Sequence, residues 1–143
     1  MREEDAMVLR EIQKNTEMAM KAINTLASKV YDDGLALQLS RESLQYSKIR
    51  NKAVEQMVQN EQEIYPGNAL QDMMLVGGIH TNTLLNTSTS HLAEMMIQGS
   101  NRGLTHMWKS LNQHENISDM SVEIANELMD FEEKNINRLK KYL

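Results

Sequence analysis

The chain contains no cysteine. That excludes disulfide scaffolds, thiol nucleophiles and cysteine-ligated zinc, and it is compatible with a reducing, cytoplasmic setting. Proline occurs once, at Pro66, and glycine six times in 143 residues. So few backbone breakers leave little room for hairpin turns and favour long helices. No apolar run approaches the roughly 20 residues that span a bilayer, so no membrane role is expected. The opening residues Met1-Arg2-Glu3-Glu4-Asp5 lack the apolar stretch of a signal peptide. Positive charge is also in short supply. The net charge is −5, which argues against nucleic acid as a partner. The one basic cluster, Arg138, Lys140 and Lys141, ends the last helical pattern, where cations complement the helix dipole.

Methionine, by contrast, is plentiful at twelve. Its flexible thioether fills irregular gaps between helices and also serves adaptable binding surfaces. Core filling is the expected use here.

Apolar periodicity divides the chain into helices. Val8, Ile12, Ala19, Ala22, Ile23 and Leu26 recur at three- and four-residue steps, predicting helix A from about Asp5 to Val30. Asp32-Asp33-Gly34 reads as a tight stop and restart. Helix B then runs from about Leu35 to Glu61, and Ile64-Tyr65-Pro66-Gly67-Asn68 is the strongest punctuation. From Ala69 to Asn112 the pattern is helical almost throughout. One such rod would be about 65 Å long against about 40 Å for helices A and B, so it should break. Asn86-Thr87-Ser88-Thr89-Ser90 supplies the break. A short helix from Ala69 to about Leu85 and helix C from about His91 to Leu111 follow, with helix D after a Ser118 cap. Short A–B and C–D links and a long B–C crossover define the ferritin-like variant of the four-helix bundle. The expected fold is therefore all-α, one domain over residues 1–143, with an extra short helix in the crossover.

Polar residues interrupt the apolar seams. In the series Leu35, Leu39, Glu42, Tyr46, Ile49, Ala53, two positions that should be core are polar. Glu132 and Asn135 do the same in the helix D series, Asn15 in helix A, and His91, Glu94 and Gln98 share one face of helix C. Asn15, Glu42, Tyr46, His91, Glu94, Gln98, Glu132 and Asn135 thus form a candidate polar core or metal cluster. Two readings are open: a hydrogen-bonded network that fixes helix register, or a carboxylate site for iron or manganese. A third follows if the periodicity is misread by one residue, which turns Glu42 and Glu132 outward. Paired-iron bundles carry Glu-x-x-His on two helices. None of His80, His91, His106 or His114 has a glutamate three residues before it. No cofactor is predicted. Gly99 and Gly103 in the middle of helix C cost about 1 kcal/mol each relative to alanine; close helix packing or a ligand pocket would account for them. Ser88, Thr89 and Ser90 near His91 read as a helix cap rather than as nucleophiles.

The stretches Thr89-Ser-His-Leu-Ala-Glu-Met-Met-Ile-Gln-Gly-Ser100 and Phe131-Glu-Glu-Lys-Asn-Ile-Asn-Arg-Leu-Lys-Lys-Tyr-Leu143 resemble a family of small, uncharacterised bacterial proteins grouped with ferritin-like bundles. The resemblance implies the bundle fold and no established activity. Against iron-binding bundles such as rubrerythrin and bacterioferritin, the chain keeps carboxylates at Glu42, Glu94 and Glu132. It departs at both histidines and at Asn15. The expectation is a non-catalytic protein acting as a homodimer or with a protein partner, through exposed parts of Met73-Met74 and Met95-Met96.

Overall fold

Each helix after the first begins at a side chain that caps it. Asp32 accepts a hydrogen bond from the Leu35 amide at 2.8 Å, Asn68 from Gln71 at 3.1 Å, Ser88 from His91 at 3.2 Å and Ser118 from Ser121 at 3.3 Å. Such caps satisfy amides that have no partner inside the helix. The result, in a computed structural model describing all 143 residues, is an all-helical bundle. Its elements are α1 (Glu3–Ala27), α2 (Asp33–Gln59), α3 (Ala69–Thr83), α4 (Thr89–Gln113) and α5 (Asp119–Leu139), followed by a short 3₁₀ turn at Lys140–Tyr142. No helix is long and apolar enough to cross a membrane.

Long-range contacts give the layout. Arg10 donates to the Glu63 carbonyl at 2.7 Å and Glu17 pairs with Arg50 at 3.9 Å, so α1 and α2 run antiparallel. Lys52 meets Glu127 at 2.9 Å while Asn135 meets Tyr46, so α2 and α5 are antiparallel too. Lys21 pairs with Asp72 at 3.2 Å, and α3 packs along α1. At the far end, Asp5 accepts from the Ser118 amide at 2.8 Å and ties the start of α1 to the start of α5. Leu9, Ile12, Leu26, Leu35, Leu39, Ile49, Leu92, Met107, Leu128 and Leu139 fill the centre of the bundle.

Two expectations need correction. Gly34 is not a turn residue: it lies in the first turn of α2, and a Cβ there would come within 2.8 Å of the Tyr142 hydroxyl. Its missing side chain seats the C-terminus. Methionine is not core filler alone. Only Met57, Met96 and Met107 are buried, and Met73 and Met74 are 71% and 68% exposed. Met20, Met95 and Met129 pack partly buried against the core, so the residue is divided between core and surface, the two uses its adaptability allows.

The end of α2 also departs from preference. Glu61 has φ 55°, and the Glu61 and Gln62 amides close back onto Val58 and Met57 at 3.1 and 2.8 Å. This is the helix-ending motif in which glycine normally takes the left-handed position. Glu61→Gly should stabilise the protein by about 0.5–1 kcal/mol, read as a shift in urea midpoint. An unchanged or lowered midpoint would show that the Glu61 side chain contributes more than its backbone strain.

Candidate polar centre and adjoining cavity

The buried residues of α2 are Leu35, Leu39, Glu42, Tyr46, Ile49, Ala53 and Met57. Stepping by four and three, they form one stripe, and two of its members are polar. On α5 the stripe Ser121, Ala125, Leu128, Glu132, Asn135, Leu139 does the same. Antiparallel packing brings the interruptions together. Glu42 is 2% and Glu132 3% exposed, so neither turns outward. The Asn135 amide donates to the Tyr46 hydroxyl at 3.3 Å, and the Tyr46 ring meets Phe131 edge-on at 4.9 Å. Gln38 donates to Glu42 at 3.2 Å.

Burial dominates the electrostatics. It pushes both carboxyls up to about 7, because charge is costly away from water. For Glu42, the Gln38 hydrogen bond and Arg138 pull the other way, and Glu132 adds to the rise. For Glu132, the nearby Ser100 and Tyr46 hydroxyls moderate it. Burial and the two carboxyls raise the Tyr46 phenol well above its ordinary value. Satisfaction is incomplete: Glu42 Oε1, Glu132 Oε2, Ser100 Oγ, Asn135 Oδ1 and Asn15 Nδ2 are buried without hydrogen-bond partners.

The two acids open in different directions. Glu42 lines a mixed-charge groove between α2 and α5, with Arg41, Asp130, Lys134 and Arg138 on its walls. Glu132 and Tyr46 line a cavity of about 270 Å³ between α1, α3 and α4, together with Asn15, Ser100 and several methionines.

Helix α4 contributes differently from its predicted face. Its buried stripe is Leu92, Ala93, Met96, Ser100, Leu104 and Met107, which turns Glu94 and Gln98 outward. Glu94 therefore does not join Glu42 and Glu132, and Gln98 reaches only the cavity rim. His91 is occupied locally, its Nε2 2.9 Å from the Asn82 carbonyl. Ser100, the hydroxyl that does face Glu132, is legible as a member of the four-residue step from Leu92 through Met96 to Leu104. Gly103 sits against Glu132, whose Oε1 would be 3.5 Å from a Cβ there. Close packing does not explain Gly99, where a Cβ meets nothing within 4 Å; this residue lines the cavity instead.

Three further polar residues of α1, Asp5, Gln13 and Thr16, are buried. Thr16 folds its hydroxyl back to the Ile12 and Gln13 carbonyls, both at 2.9 Å. Asp5 holds Ser118. Gln13 accepts from the Tyr65 amide at 2.8 Å and donates to the Tyr65 carbonyl at 3.1 Å. A polar residue on a buried stripe was the available signal for each.

A paired-iron centre draws on four carboxylates and two imidazoles. Two carboxyls face this centre and no imidazole joins them. No group of three or more His, Cys, Asp or Glu side chains is placed to hold a metal ion. The donor set does not fit such a centre. The arrangement defines an all-helical bundle with a buried acid pair beside a cavity. Comparison with family models, curated proteins and solved structures gives no match for the chain.

Proposed function

We propose that this is a ferritin-like four-helix-bundle protein, with α3 in the crossover, that works by self-association rather than catalysis. The observation that carries the reading is α3 itself. Of its fifteen residues only Ile79 and Thr83 are buried, although Leu70, Met73, Met74, Leu75, Val76 and Ile79 make it conspicuously apolar. Leu70, Met73, Met74 and Gly77 recur at helical neighbour spacing and are exposed, with Leu84 and Leu85 exposed just beyond the helix. Contiguous apolar surface of this kind marks an interaction site. A second copy is the occupant proposed, because twofold pairing lets one face cover itself. Sedimentation velocity should give a dimer at micromolar concentration. Met73→Glu combined with Leu70→Glu should give a monomer of unchanged helicity. A wild-type monomer at all accessible concentrations sinks the reading.

A second reading is an atypical site for a single divalent cation, iron or manganese, on Glu42 and Glu132. Their unpartnered buried oxygens support it. The lack of a third acid or an imidazole weighs against it. Elemental analysis of protein purified without chelator, compared with Glu42→Ala and Glu132→Ala, tests it; far less than one metal per chain in the wild type ends it.

A further inference from the structure

We infer that the cavity between α1, α3 and α4 is a binding site for a small amine with an apolar body, its ammonium group seated against the Glu132 carboxyl. This does not depend on self-association.

The first support is space. Protein interiors hold few voids larger than a water molecule, whose share of liquid volume is about 30 Å³. This pocket of about 270 Å³ opens to solvent along Met74, Gly78 and Gly99 and approaches the lower range of small-molecule pockets. Gly78 and Gly99 keep its wall open, since a side chain at either would meet nothing within 4 Å.

The second support is unmet polarity. Glu132 and Ser100 are each at least 97% buried, with Glu132 3% and Ser100 3% exposed. Both residues line this region, and Glu132 Oε2, Ser100 Oγ and Asn15 Nδ2 are buried beside it without a well-formed hydrogen bond. Native structures seldom leave such atoms unsatisfied, because each costs about 1–3 kcal/mol.

The third support is the chemistry of the lining. Met18, Met74, Met95 and Ile79 supply apolar wall. Methionine adapts to ligand shape and makes favourable sulfur contacts with aromatic rings. The ionisable groups in the interior, Glu132 and Tyr46, are both acids. Arg102 and His106 stand at the exposed rim, where water screens them. A cationic head therefore meets a carboxyl that can ionise against it above about pH 7, the range in which the titration is run, whereas an anionic head would be repelled by the same ionisation. An oxygen adjacent to the amine would meet the free Asn15 donor.

Isothermal titration with benzylamine and hexylamine, against benzyl alcohol and benzoate of matched shape, tests the assignment. At least one amine should bind saturably at one per chain. Benzyl alcohol and benzoate should bind roughly ten-fold or more weakly, the loss expected for a charge-assisted hydrogen bond. Glu132→Gln should reduce the amine to the level of the alcohol. Gly99→Leu adds bulk to the α4 wall of the cavity without touching Glu132; it should abolish binding while circular dichroism stays helical. Equal binding of alcohol or benzoate, unchanged amine binding in Gly99→Leu, or no saturable binding of either amine to the wild type overturns the proposal. If Glu132→Gln fails to fold, the wild-type ligand series and Gly99→Leu decide it.

Discussion

Raising the pH from about 5 to about 8 is expected to lower the free energy of unfolding by roughly 3 kcal/mol or more. Glu42 and Glu132 release their protons near 4.5 in the unfolded chain but hold them up to about 7 in the bundle. Between those values the folded state binds more protons than the unfolded one, so stability falls as pH rises. The contribution is complete below about 4.5 and is lost as pH passes through about 7. Each carboxyl alone corresponds to about 3 kcal/mol at 1.36 kcal/mol per pKa unit. Because the two interact, they titrate as a pair, and the cavity and groove beside them admit water. The sum for the pair is therefore smaller than twice that figure. The groups that act on them are Gln38 and Tyr46 on α2, Ser100 on α4 and Arg138 on α5; Arg41, Asp130 and Lys134 also line the groove beside Glu42, and of these charges Arg138 is the one that lowers its pKa.

Urea unfolding across this range, followed by circular dichroism, checks the expectation. Glu42→Gln keeps the shape and removes one ionisation, so it should be more stable than the wild type above pH 7 and show a shallower slope. A flat wild-type profile would mean that the acids are not held protonated. The acid limb has the opposite sign. Burial raises the Asp5 carboxyl, but hydrogen bonds from the Ser118 amide and hydroxyl and from Ser121 outweigh it and leave its pKa lowered. Its contribution is present above the unfolded value and is lost as pH falls through the folded one. The two effects together place maximum stability at about pH 4 to 4.5, above the Asp5 limb and below the onset of the glutamate limb.

What the chain announced in its sequence was set by periodicity and punctuation. The α2 stripe from Leu35 to Met57 steps regularly by three and four, and an aspartate, two serines and an asparagine stand where α2, α4, α5 and α3 begin. Those signals are local, so they survive without tertiary information. Helix α4 was harder to phase. Leu92, Met95, Met96 and Ile97 make its apolar arc broad, and a broad arc admits several centres; the true stripe runs through Met96, Ser100 and Leu104, which puts Glu94 on the outside. The cavity was legible only as one of two readings of Gly99 and Gly103, and its size and remaining walls were not legible. It exists because α3 rests on α1 without filling the space before Gly99 and Ser100, a matter of distance between helices rather than of any residue pattern. The exposed methionines show the same limit. An apolar residue on a helix announces a surface to be covered, and the sequence does not say whether the cover is this chain or another.

The position of α3 should depend on Gln13 more than on any apolar residue of α3. The segment from Gln62 to Asn68 has no regular structure and must cross the flank of α1. Gln13, 1% exposed, clasps both backbone groups of Tyr65, and Arg10 holds the Glu63 carbonyl three residues earlier on α1. Gln13→Ala removes one donor and one acceptor from a partly buried backbone unit. Each orphaned group costs about 1–3 kcal/mol, so the expected destabilisation is about 2–4 kcal/mol in urea unfolding. Gln13→Glu is the sharper comparison. It keeps an acceptor for the Tyr65 amide but offers no donor to the Tyr65 carbonyl, and it sets a second carboxylate beside Glu17, which now accepts from Gln13 at 3.1 Å. It should therefore fall near the alanine variant in stability and recover toward the wild type as the added carboxyl is protonated. Hydrogen exchange distinguishes a clamp from mere packing. In Gln13→Ala the amides of Tyr65 and of α3 should exchange faster than those of α2 and α5, because the crossover loosens while the four long helices remain paired. Uniformly faster exchange throughout the bundle would show that Gln13 supports the whole core, and that α3 is held instead by Ile79, Thr83 and the Lys21–Asp72 pair.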